Sequence, residues 1–212
     1  MSELYLQRRR ILIDPFASPR PALFLDRDGV LIEDRHYISD PNDVVLCLGA
    51  KQLLERASWL GWPVVIITNQ SGIQRGLFDW KAYELVTDQL IRMLSSPRAI
   101  AGIYANGYGP AASPTSWRKP SPAMLLAAAS DLNIDLSRSI LIGDRLSDLK
   151  AGASAGLNLL VHVLTGHGCH ERLEIRRWFV SMCSANQDRL PPWELLLLNE
   201  LSYFPVNRLS GV

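Results

Sequence analysis

Two aspartates, one residue apart, follow directly after a short apolar run near the start of the chain. Residues 22–25 are hydrophobic, and Asp26 and Asp28 come next, ahead of Gly29. An apolar run that ends in carboxylates is typical of a buried strand, and ligands bind at the carboxyl ends of strands in an open α/β sheet. Because neighbouring carboxylates repel each other, they need a cation or a shared proton. An acidic turn is the alternative interpretation.

A segment rich in hydroxyl and amide groups follows the next apolar run, residues 64–67. Its side chains are those of Thr68, Asn69, Gln70 and Ser71. Such side chains, together with backbone N–H groups, hold phosphate oxygens through hydrogen bonds. A polar turn is the alternative, although a turn rarely needs this many donors at one strand end.

Two adjacent cations, Arg118 and Lys119, precede a helix start at Ser121 and Pro122. Positive charge ahead of a helix N-terminus favours anion binding. Arginine presents a planar fork to phosphate, whereas lysine acts as a compact point charge. A solvated basic loop is the alternative for this pair taken alone.

Another acid at a predicted strand end, Asp144, follows the apolar residues 140–142. We expect Asp144 and Asp26 to converge on one Mg²⁺, since this ion prefers hard carboxylate oxygens. Asp148, one helical turn later, is expected to orient a ligand or a metal-bound water. Capping the helix that begins near Ser147 is its alternative role.

Together these four segments supply the parts of a phosphoryl-transfer site. A carboxylate nucleophile accepts a phosphoryl group if a neighbouring acid protonates the leaving oxygen. A metal ion and a lysine then neutralise the charge on the transferred group.

Alternating strand-like and helix-like patterns must position these segments. Apolar runs predict strands at residues 22–25, 64–67, 100–105, 140–142 and 159–164. Helical periodicity predicts helices at residues 50–60, 80–94, 121–132 and 147–155. This succession predicts an α/β fold with a doubly wound parallel sheet. Neither Asp28 nor Ser71 is followed by a long insertion, so we expect no large cap domain.

The flanks of this pattern are less regular. We expect residues 1–20 to be an N-terminal tail, with Arg8, Arg9 and Arg10 solvated in it. Residues 21–166 are predicted to form the enzymatic domain. Residues 167–212 are predicted to form a helical extension on the same domain, with helices around Trp178 and over 193–201.

Composition excludes several classes of partner. The 212 residues are 48% hydrophobic and carry a formal net charge of +1, so we expect neither a nucleic-acid nor a membrane partner. No apolar run approaches the roughly 20 residues that span a bilayer. Three cysteines give no disulfide framework, which favours a reducing cytoplasm. We expect a monomer.

The four segments resemble the four motifs of the haloacid dehalogenase superfamily of phosphatases. The resemblance implies that Asp26 forms a phospho-aspartyl intermediate and that Asp28 acts first as an acid and then as a base. It also implies that Thr68 and Lys119 stabilise the phosphoryl group. Mg²⁺ would be held by Asp26, Asp144 and the backbone carbonyl of Asp28.

Over residues 20–166 the motifs are most similar to the branch of heptose-bisphosphate phosphatases, with histidinol phosphatases as the nearest alternative. This likeness implies removal of the 7-phosphate of D-glycero-D-manno-heptose 1,7-bisphosphate; histidinol phosphate or another small phosphosugar is the alternative substrate. Arg118 and Arg145 would reach a second phosphate. The other implied substrate-binding residues are Asp34, Arg35, His36, Tyr37, Asn69, Gln70 and Ser71.

The branch often carries a zinc loop of three cysteines and one histidine before its Arg-Lys-Pro motif. The matching residues 106–117 contain neither residue type, so we expect no zinc there. Tyr108, Pro110, Pro114 and Trp117 are expected to hold the loop instead.

Two further interpretations concern smaller features. A phospho-aspartyl switch domain is the non-enzymatic alternative, but a long-lived acyl phosphate does not need an acid such as Asp28 two residues after the phosphoacceptor. The cluster of His167, Cys169 and His170 is interpreted as an ordinary loop, because three ligands within four residues suit a metal poorly.

Overall fold

A mostly parallel β-sheet forms the centre of the protein. The structure is a computed structural model that describes residues 6–94, 99–185 and 191–209. Within these residues the strands are β1 (Gln7–Ile11), β2 (Leu23–Leu25), β3 (Val64–Asn69), β4 (Ile100–Asn106), β5 (Ile140–Gly143), β6 (Leu159–His162) and β7 (Glu194–Leu197). Their order across the sheet is β1-β4-β3-β2-β5-β6-β7, and only β1 runs antiparallel to its neighbour.

Helices cover both faces of this sheet. They are α1 (Ala50–Trp59), α2 (Trp80–Met93), α3 (Ala123–Leu132), α4 (Leu146–Ala155) and α5 (Gly168–Ala185). The predicted α/β fold with a doubly wound parallel sheet is confirmed, and the described residues contain no insertion large enough for a cap domain.

Alternation along the strands builds a separate apolar layer on each face. In β3, Val64 and Ile66 pack with α1 and α2, whereas Val65 and Ile67 pack with α3 and α4. Successive side chains of a strand point to opposite faces, so a strand buried on both faces is apolar throughout. The continuous apolar run 64–67 is therefore typical of a central strand.

The predicted N-terminal tail is wrong for residues 7–11, which form the edge strand β1. Arg8 and Arg10 face α2, where they pair with Glu84 and Asp88. Arg9 faces the other side and pairs with Asp131 of α3 at 2.9 Å. Carboxylates from helices on both faces receive the alternating arginines, so these side chains are not simply solvated.

The helix predicted over residues 193–201 is also wrong, because Glu194–Leu197 is the strand β7, parallel to β6. Leu196 and Leu198 pack against one apolar layer, and Leu195 and Leu197 pack against the other. An edge strand that contacts both layers looks apolar on all sides, as a buried helix also does. The predicted helix around Trp178 is present within α5. The predicted domain boundaries thus separate strands of one sheet.

Two features of composition have structural counterparts. Cys47, Cys169 and Cys183 are all free thiols. Among the described helices, none combines the length and the apolar character that a bilayer crossing requires.

We predict that Leu141→Ala lowers the free energy of unfolding by about 2–5 kcal/mol, because it leaves a cavity in a fully buried central strand. Leu126→Ala is the matched control, since Leu126 is 48% exposed on α3, and we expect a change below about 1 kcal/mol. Denaturant unfolding followed by circular dichroism measures both. Equal losses would contradict the assignment of Leu141 to the core.

Candidate active site

The three central strands bring the predicted catalytic residues to one edge of the sheet. Asp26 follows β2, Thr68 lies in β3, and Asp144 follows β5. Because β2 lies between β3 and β5 and is parallel to both, the carboxyl ends of these strands meet at the same edge. Lys119 reaches this edge from the segment between β4 and α3.

The Lys119 ammonium lies between two carboxylates at this edge. Its Nζ is 2.9 Å from Asp26 Oδ2 and 2.7 Å from Asp148 Oδ1. It also donates a hydrogen bond of 3.2 Å to the Ile67 carbonyl oxygen. Burial alone lowers the pKa of a lysine, but here Asp148 and Asp26 more than offset burial and raise the pKa of Lys119. The ammonium therefore stays charged beside Asp26.

The buried carboxyl group of Asp144 has one oxygen, Oδ1, with no hydrogen-bond partner among the described residues. Its Oδ2 accepts a hydrogen bond of 2.7 Å from the His167 backbone N–H. A Cβ atom placed on Gly29 or Gly166 would lie 2.5 or 2.3 Å from this same Oδ2. The backbone thus closes around Asp144 while one of its oxygens is left for a cation or a proton.

Burial raises the pKa of two carboxyl groups at this edge. The pKa of Asp26 rises to about 7, because burial and Asp148 outweigh the opposing effect of Lys119. The pKa of Asp144 rises to about 9, owing to burial and the charges of Asp148 and Asp26. The site therefore gathers more negative charge than Lys119 neutralises, and a divalent cation would lower both pKa values.

The donor set fits a hard divalent cation. Asp26, Asp144 and Asp148 each offer a carboxylate oxygen, and these oxygens lie within 4.8 Å of one another. Oxygen-rich sites of this kind suit Mg²⁺. Asp148 already contacts Lys119 and accepts a hydrogen bond of 3.0 Å from the Arg145 backbone N–H. Asp26 and Asp144 are therefore better disposed to bind the ion, and Asp148 to orient its neighbours.

Asp28 has surroundings unlike those of Asp26. Its carboxylate accepts hydrogen bonds of 3.1 and 3.0 Å from the Arg27 guanidinium and one of 2.8 Å from Gln70 Nε2. The Thr68 hydroxyl lies 3.5 Å away. The Asp28 side chain is 24% exposed and lines the cavity described below, so it can exchange protons with a ligand or water.

Arg27, a residue that no sequence motif identified as functional, is a buried partner of Asp28. It is buried, and its guanidinium lies over the Tyr83 ring, 5.3 Å from the centroid. Its guanidinium pairs with the Asp28 carboxylate at 3.0 Å. Its position between Asp26 and Asp28 is the sequence feature that could have indicated this role, because a buried arginine needs acidic partners.

Asn69 acts on the backbone of Lys119. Its Nδ2 donates a hydrogen bond of 3.2 Å to the Lys119 carbonyl oxygen, and its Oδ1 accepts one of 3.1 Å from the Lys119 N–H. Asn106 donates to the same Oδ1 at 3.3 Å and also bonds the backbone of Tyr108. This amide pair fixes the segment that delivers Lys119, which is a different use of Asn69 from direct substrate contact.

The loop of residues 106–117 is held partly by residues other than those predicted. The Tyr108 carbonyl oxygen accepts a hydrogen bond of 2.9 Å from Arg118, and Trp117 lies against Tyr104 with ring centroids 5.6 Å apart. Gln74 accepts a hydrogen bond from the Gly109 N–H. Gln74 lies outside the loop, so the loop sequence alone could not indicate it.

A cavity of about 600 Å³ opens over this edge, within the range typical of small-molecule sites. The predicted site residues that line it are Asp26, Asp28, Asp34, His36, Tyr37, Asn69, Gln70, Ser71, Arg118, Lys119, Asp144 and Arg145. Lining residues that were not predicted include Arg75, Ser147, His167 and Glu171. Thr68 is buried behind this wall.

Arg35 is the predicted substrate residue that lies apart from this cavity. Its exposed guanidinium pairs with Glu33 at 3.1 Å, and it is not among the lining residues. Its neighbours in the loop do line the cavity, because the backbone turns sharply at His36 and Tyr37, where φ is 49° and 58°. A sequence pattern does not reveal this turn, since neither residue is a glycine.

Three arginines, Arg75, Arg118 and Arg145, line the same cavity. Burial, Arg145 and Arg75 lower the pKa of half-buried Arg118. Arg145 pairs with Glu171 at 3.1 Å, whereas Arg75 donates a hydrogen bond of 2.7 Å to the Tyr37 hydroxyl. The repulsion among these guanidinium groups would be relieved by an anion.

Comparisons with known proteins support a phosphatase. Residues 116–180 match the profile of the HAD-hydrolase-like family. The chain is 42% identical over 149 residues to the D-glycero-beta-D-manno-heptose-1,7-bisphosphate 7-phosphatase of Mesorhizobium japonicum, covering 67% of this chain and 69% of that protein. It is 40% identical over 144 residues to the enzyme of the same name from Helicobacter pylori strain J99, covering 66% and 82%.

A solved structure of a phosphatase is also similar to this chain. The D,D-heptose 1,7-bisphosphate phosphatase from B. bronchiseptica, complexed with magnesium and phosphate, superposes with a TM-score of 0.67 at 30% identity, covering 86% of this chain and 94% of that chain.

We predict that the metal-free protein loses stability as the pH rises from about 4 to about 9. The folded-state pKa values of Asp26 and Asp144 exceed those of the unfolded chain, so the folded protein binds more protons in this window and each deprotonation favours unfolding. Because one pKa unit corresponds to about 1.4 kcal/mol, we expect a loss on the order of several kcal/mol. Thermal unfolding in chelator measures it.

Asp144→Asn is the control for this pH dependence, because asparagine mimics the protonated acid. We expect the variant to be more stable than the wild type at high pH in chelator, and we expect added Mg²⁺ to stabilise only the wild type. The same slope in both proteins would contradict the role assigned to Asp144.

Proposed function

The chain belongs to the haloacid dehalogenase superfamily and is a phosphoric monoester hydrolase, and from that premise we propose that it removes the 7-phosphate of D-glycero-D-manno-heptose 1,7-bisphosphate with Mg²⁺ and an aspartyl-phosphate intermediate. The different surroundings of Asp26 and Asp28 carry this proposal. One acid lies beside Lys119, at 2.9 Å, and the other is held by Arg27 and Gln70 at the cavity wall.

Asp26 would be the nucleophile. Its Oδ1 accepts a hydrogen bond of 2.7 Å from the Arg27 N–H, and its Oδ2 faces the Lys119 ammonium, so the carboxylate is held in one orientation. Attack of this carboxylate on phosphorus forms the acyl phosphate and breaks the bond between phosphorus and the sugar oxygen. Asp28, in its protonated form, gives its proton to that departing oxygen.

The second step reverses the proton transfer. Asp28 takes a proton from a water molecule, whose oxygen attacks phosphorus and breaks the bond to Asp26. Inorganic phosphate leaves, and both carboxyl groups return to their starting states. The Lys119 ammonium and the Thr68 hydroxyl would stabilise the negative charge of the phosphoryl group in both steps.

Mg²⁺ would be held by Asp26, Asp144 and the backbone carbonyl of Asp28. The Asp144 Oδ1 that lacks a partner among the described residues supports this assignment. When bound, the ion supplies positive charge that offsets repulsion between the phosphate and the carboxylates. Asp148 would orient Lys119 and the start of α4.

The three arginines support a substrate with a second anionic group. Arg118 and Arg145 line the same cavity as Asp26, and both curated relatives described above are named for a bisphosphate. Charged forks of this kind bind phosphate through paired hydrogen bonds. The cytoplasmic location and the monomeric state remain predictions from the sequence.

We predict that Asp26→Asn lowers the rate of phosphate release by more than about a thousandfold, because the amide is not a nucleophile. Asp28→Asn is expected to lower it about 10²–10⁴-fold through loss of proton transfer. Asp43→Asn is the control, since Asp43 is an exposed acid that is not among the lining residues of the cavity. Melting temperatures verify folding, and an unchanged rate in Asp26→Asn would rule out the nucleophile.

We predict that Arg118→Ala reduces kcat/KM for the bisphosphate about tenfold or more, and that for the matching 7-monophosphate much less, because only the bisphosphate offers a second anion. A phosphate-release screen of both heptose anomers, other sugar phosphates and histidinol phosphate sets the comparison. Arg92→Ala, an exposed arginine on α2, is the control.

Two outcomes would contradict this substrate assignment. Equal losses of kcat/KM on the bisphosphate and the monophosphate in Arg118→Ala would show that Arg118 does not contact a second phosphate. Faster turnover of histidinol phosphate by the wild type would place the enzyme in the neighbouring branch.

A further inference from the structure

A short loop forms one wall of the cavity and adopts a conformation that needs outside support. This rim loop, residues 33–40, contributes Asp34, His36, Tyr37 and Ile38 to the lining. His36 and Tyr37 both have positive φ, at 49° and 58°. Consecutive left-handed residues that are not glycine are disfavoured and persist only where surrounding contacts impose them. The contacts of the rim loop therefore determine its shape.

One contact joins the rim loop to the segment after β6. Asp34 Oδ2 lies 2.9 Å from His167 Nε2. The other Asp34 oxygen accepts a hydrogen bond of 3.0 Å from the His36 N–H, at the first left-handed residue. A single carboxylate thus supports the turn and ties it to His167, and both side chains are only partly exposed, at 19% and 34%.

A different contact joins the rim loop to the segment after β3. Arg75 donates a hydrogen bond of 2.7 Å to the Tyr37 hydroxyl and lies over its ring, 5.7 Å from the centroid. Ile38, the next residue, is buried in the apolar layer. The two ends of the turn are therefore tied to separate parts of the sheet edge.

His167 serves the site through two different groups. Its backbone N–H donates a hydrogen bond of 2.7 Å to Asp144, and its imidazole contacts Asp34, with both residues lining the cavity. The backbone contact would survive removal of the side chain, so the two effects are separable by mutation. The flanking Gly166 approaches Gly29 and Asp144 closely, which fixes the backbone from which the imidazole extends.

We propose that His167 is a positioning residue that holds the rim loop over the cavity, so that the loop contacts the sugar part of the substrate in place of a cap domain. The proposal rests on the proposed function only for its substrate. Loss of the imidazole would free Asp34, loosen the turn at His36 and Tyr37, and weaken binding of large substrates. The phosphoryl-transfer residues would keep their positions.

His167→Ala tests this proposal, with His170→Ala as the matched control, because His170 is an exposed histidine three residues later. For the heptose bisphosphate we expect KM to rise about fivefold in His167→Ala while kcat changes less than about twofold. For p-nitrophenyl phosphate, which lacks a sugar, we expect no change beyond about twofold. His167→Gln, which retains an N–H donor, is expected to restore part of the affinity.

Hydrogen exchange of the rim loop provides a readout that needs no substrate. In His167→Ala we expect amides of residues 33–40 to exchange about fivefold faster than in the wild type and in His170→Ala. If the heptose bisphosphate proves not to be the substrate, exchange still tests the contact, and KM is measured on the best sugar phosphate from the screen.

The results that overturn the proposal are distinct. An unchanged KM in His167→Ala shows that the contact does not serve binding, whatever the exchange rates. Equal losses on the sugar bisphosphate and on p-nitrophenyl phosphate show that the imidazole acts on the phosphoryl-transfer residues instead. Unchanged exchange shows that His167 does not hold the loop.

Discussion

The buried contact of Lys119 with Asp26 and Asp148 is the interaction on which the site depends. Charged groups leave water at a high cost, and this cost is offset only when partners lie in contact. Lys119 Nζ lies within 2.9 Å of both carboxylates, so it fixes the orientation of Asp26, the proposed nucleophile. Asp144 adds a further buried acid that the ammonium does not contact. The negative charge that Lys119 does not neutralise would attract a cation to this edge.

The rigid parallel sheet keeps these acidic side chains in place although their charges repel each other. The neighbours β2, β3 and β5 are buried on both faces, so the backbone from which Asp26, Thr68 and Asp144 extend has little freedom to relax. Lys119 lacks a strand of its own, and Asn69 supplies the missing constraint by bonding its backbone on both sides. Repulsion among the acids is therefore resisted by hydrogen bonds and packing rather than relieved by movement.

Structure can be predicted from the sequence where a local pattern of apolar residues is compatible with only one kind of element in its context. The apolar runs before Asp26, Thr68 and Asp144 alternate with helical patterns, which favours central strands, and parallel strands bring these residues together at one edge. The run 195–198 has two outcomes, because an edge strand between two layers and a buried helix are both apolar on every side. Side-chain direction in the loops is likewise undetermined: Arg35 turns away from the cavity through the unusual backbone at His36.

Recognition and chemistry are built from different kinds of contact in this protein, and the difference has a physical reason. Phosphoryl transfer needs charges held at short distances in a dry setting, which buried strand ends provide. In the proposed function, recognition of the sugar needs a wall that admits the substrate, and this wall would come from loops tied by partly exposed contacts such as Asp34 with His167. Because those contacts are weak individually, the rim loop can change its shape or partners without disturbing Asp26 or Lys119. If the rim loop recognises the sugar as proposed, substrate preference could therefore change at the rim while the buried charges of Asp26 and Lys119 stay in place.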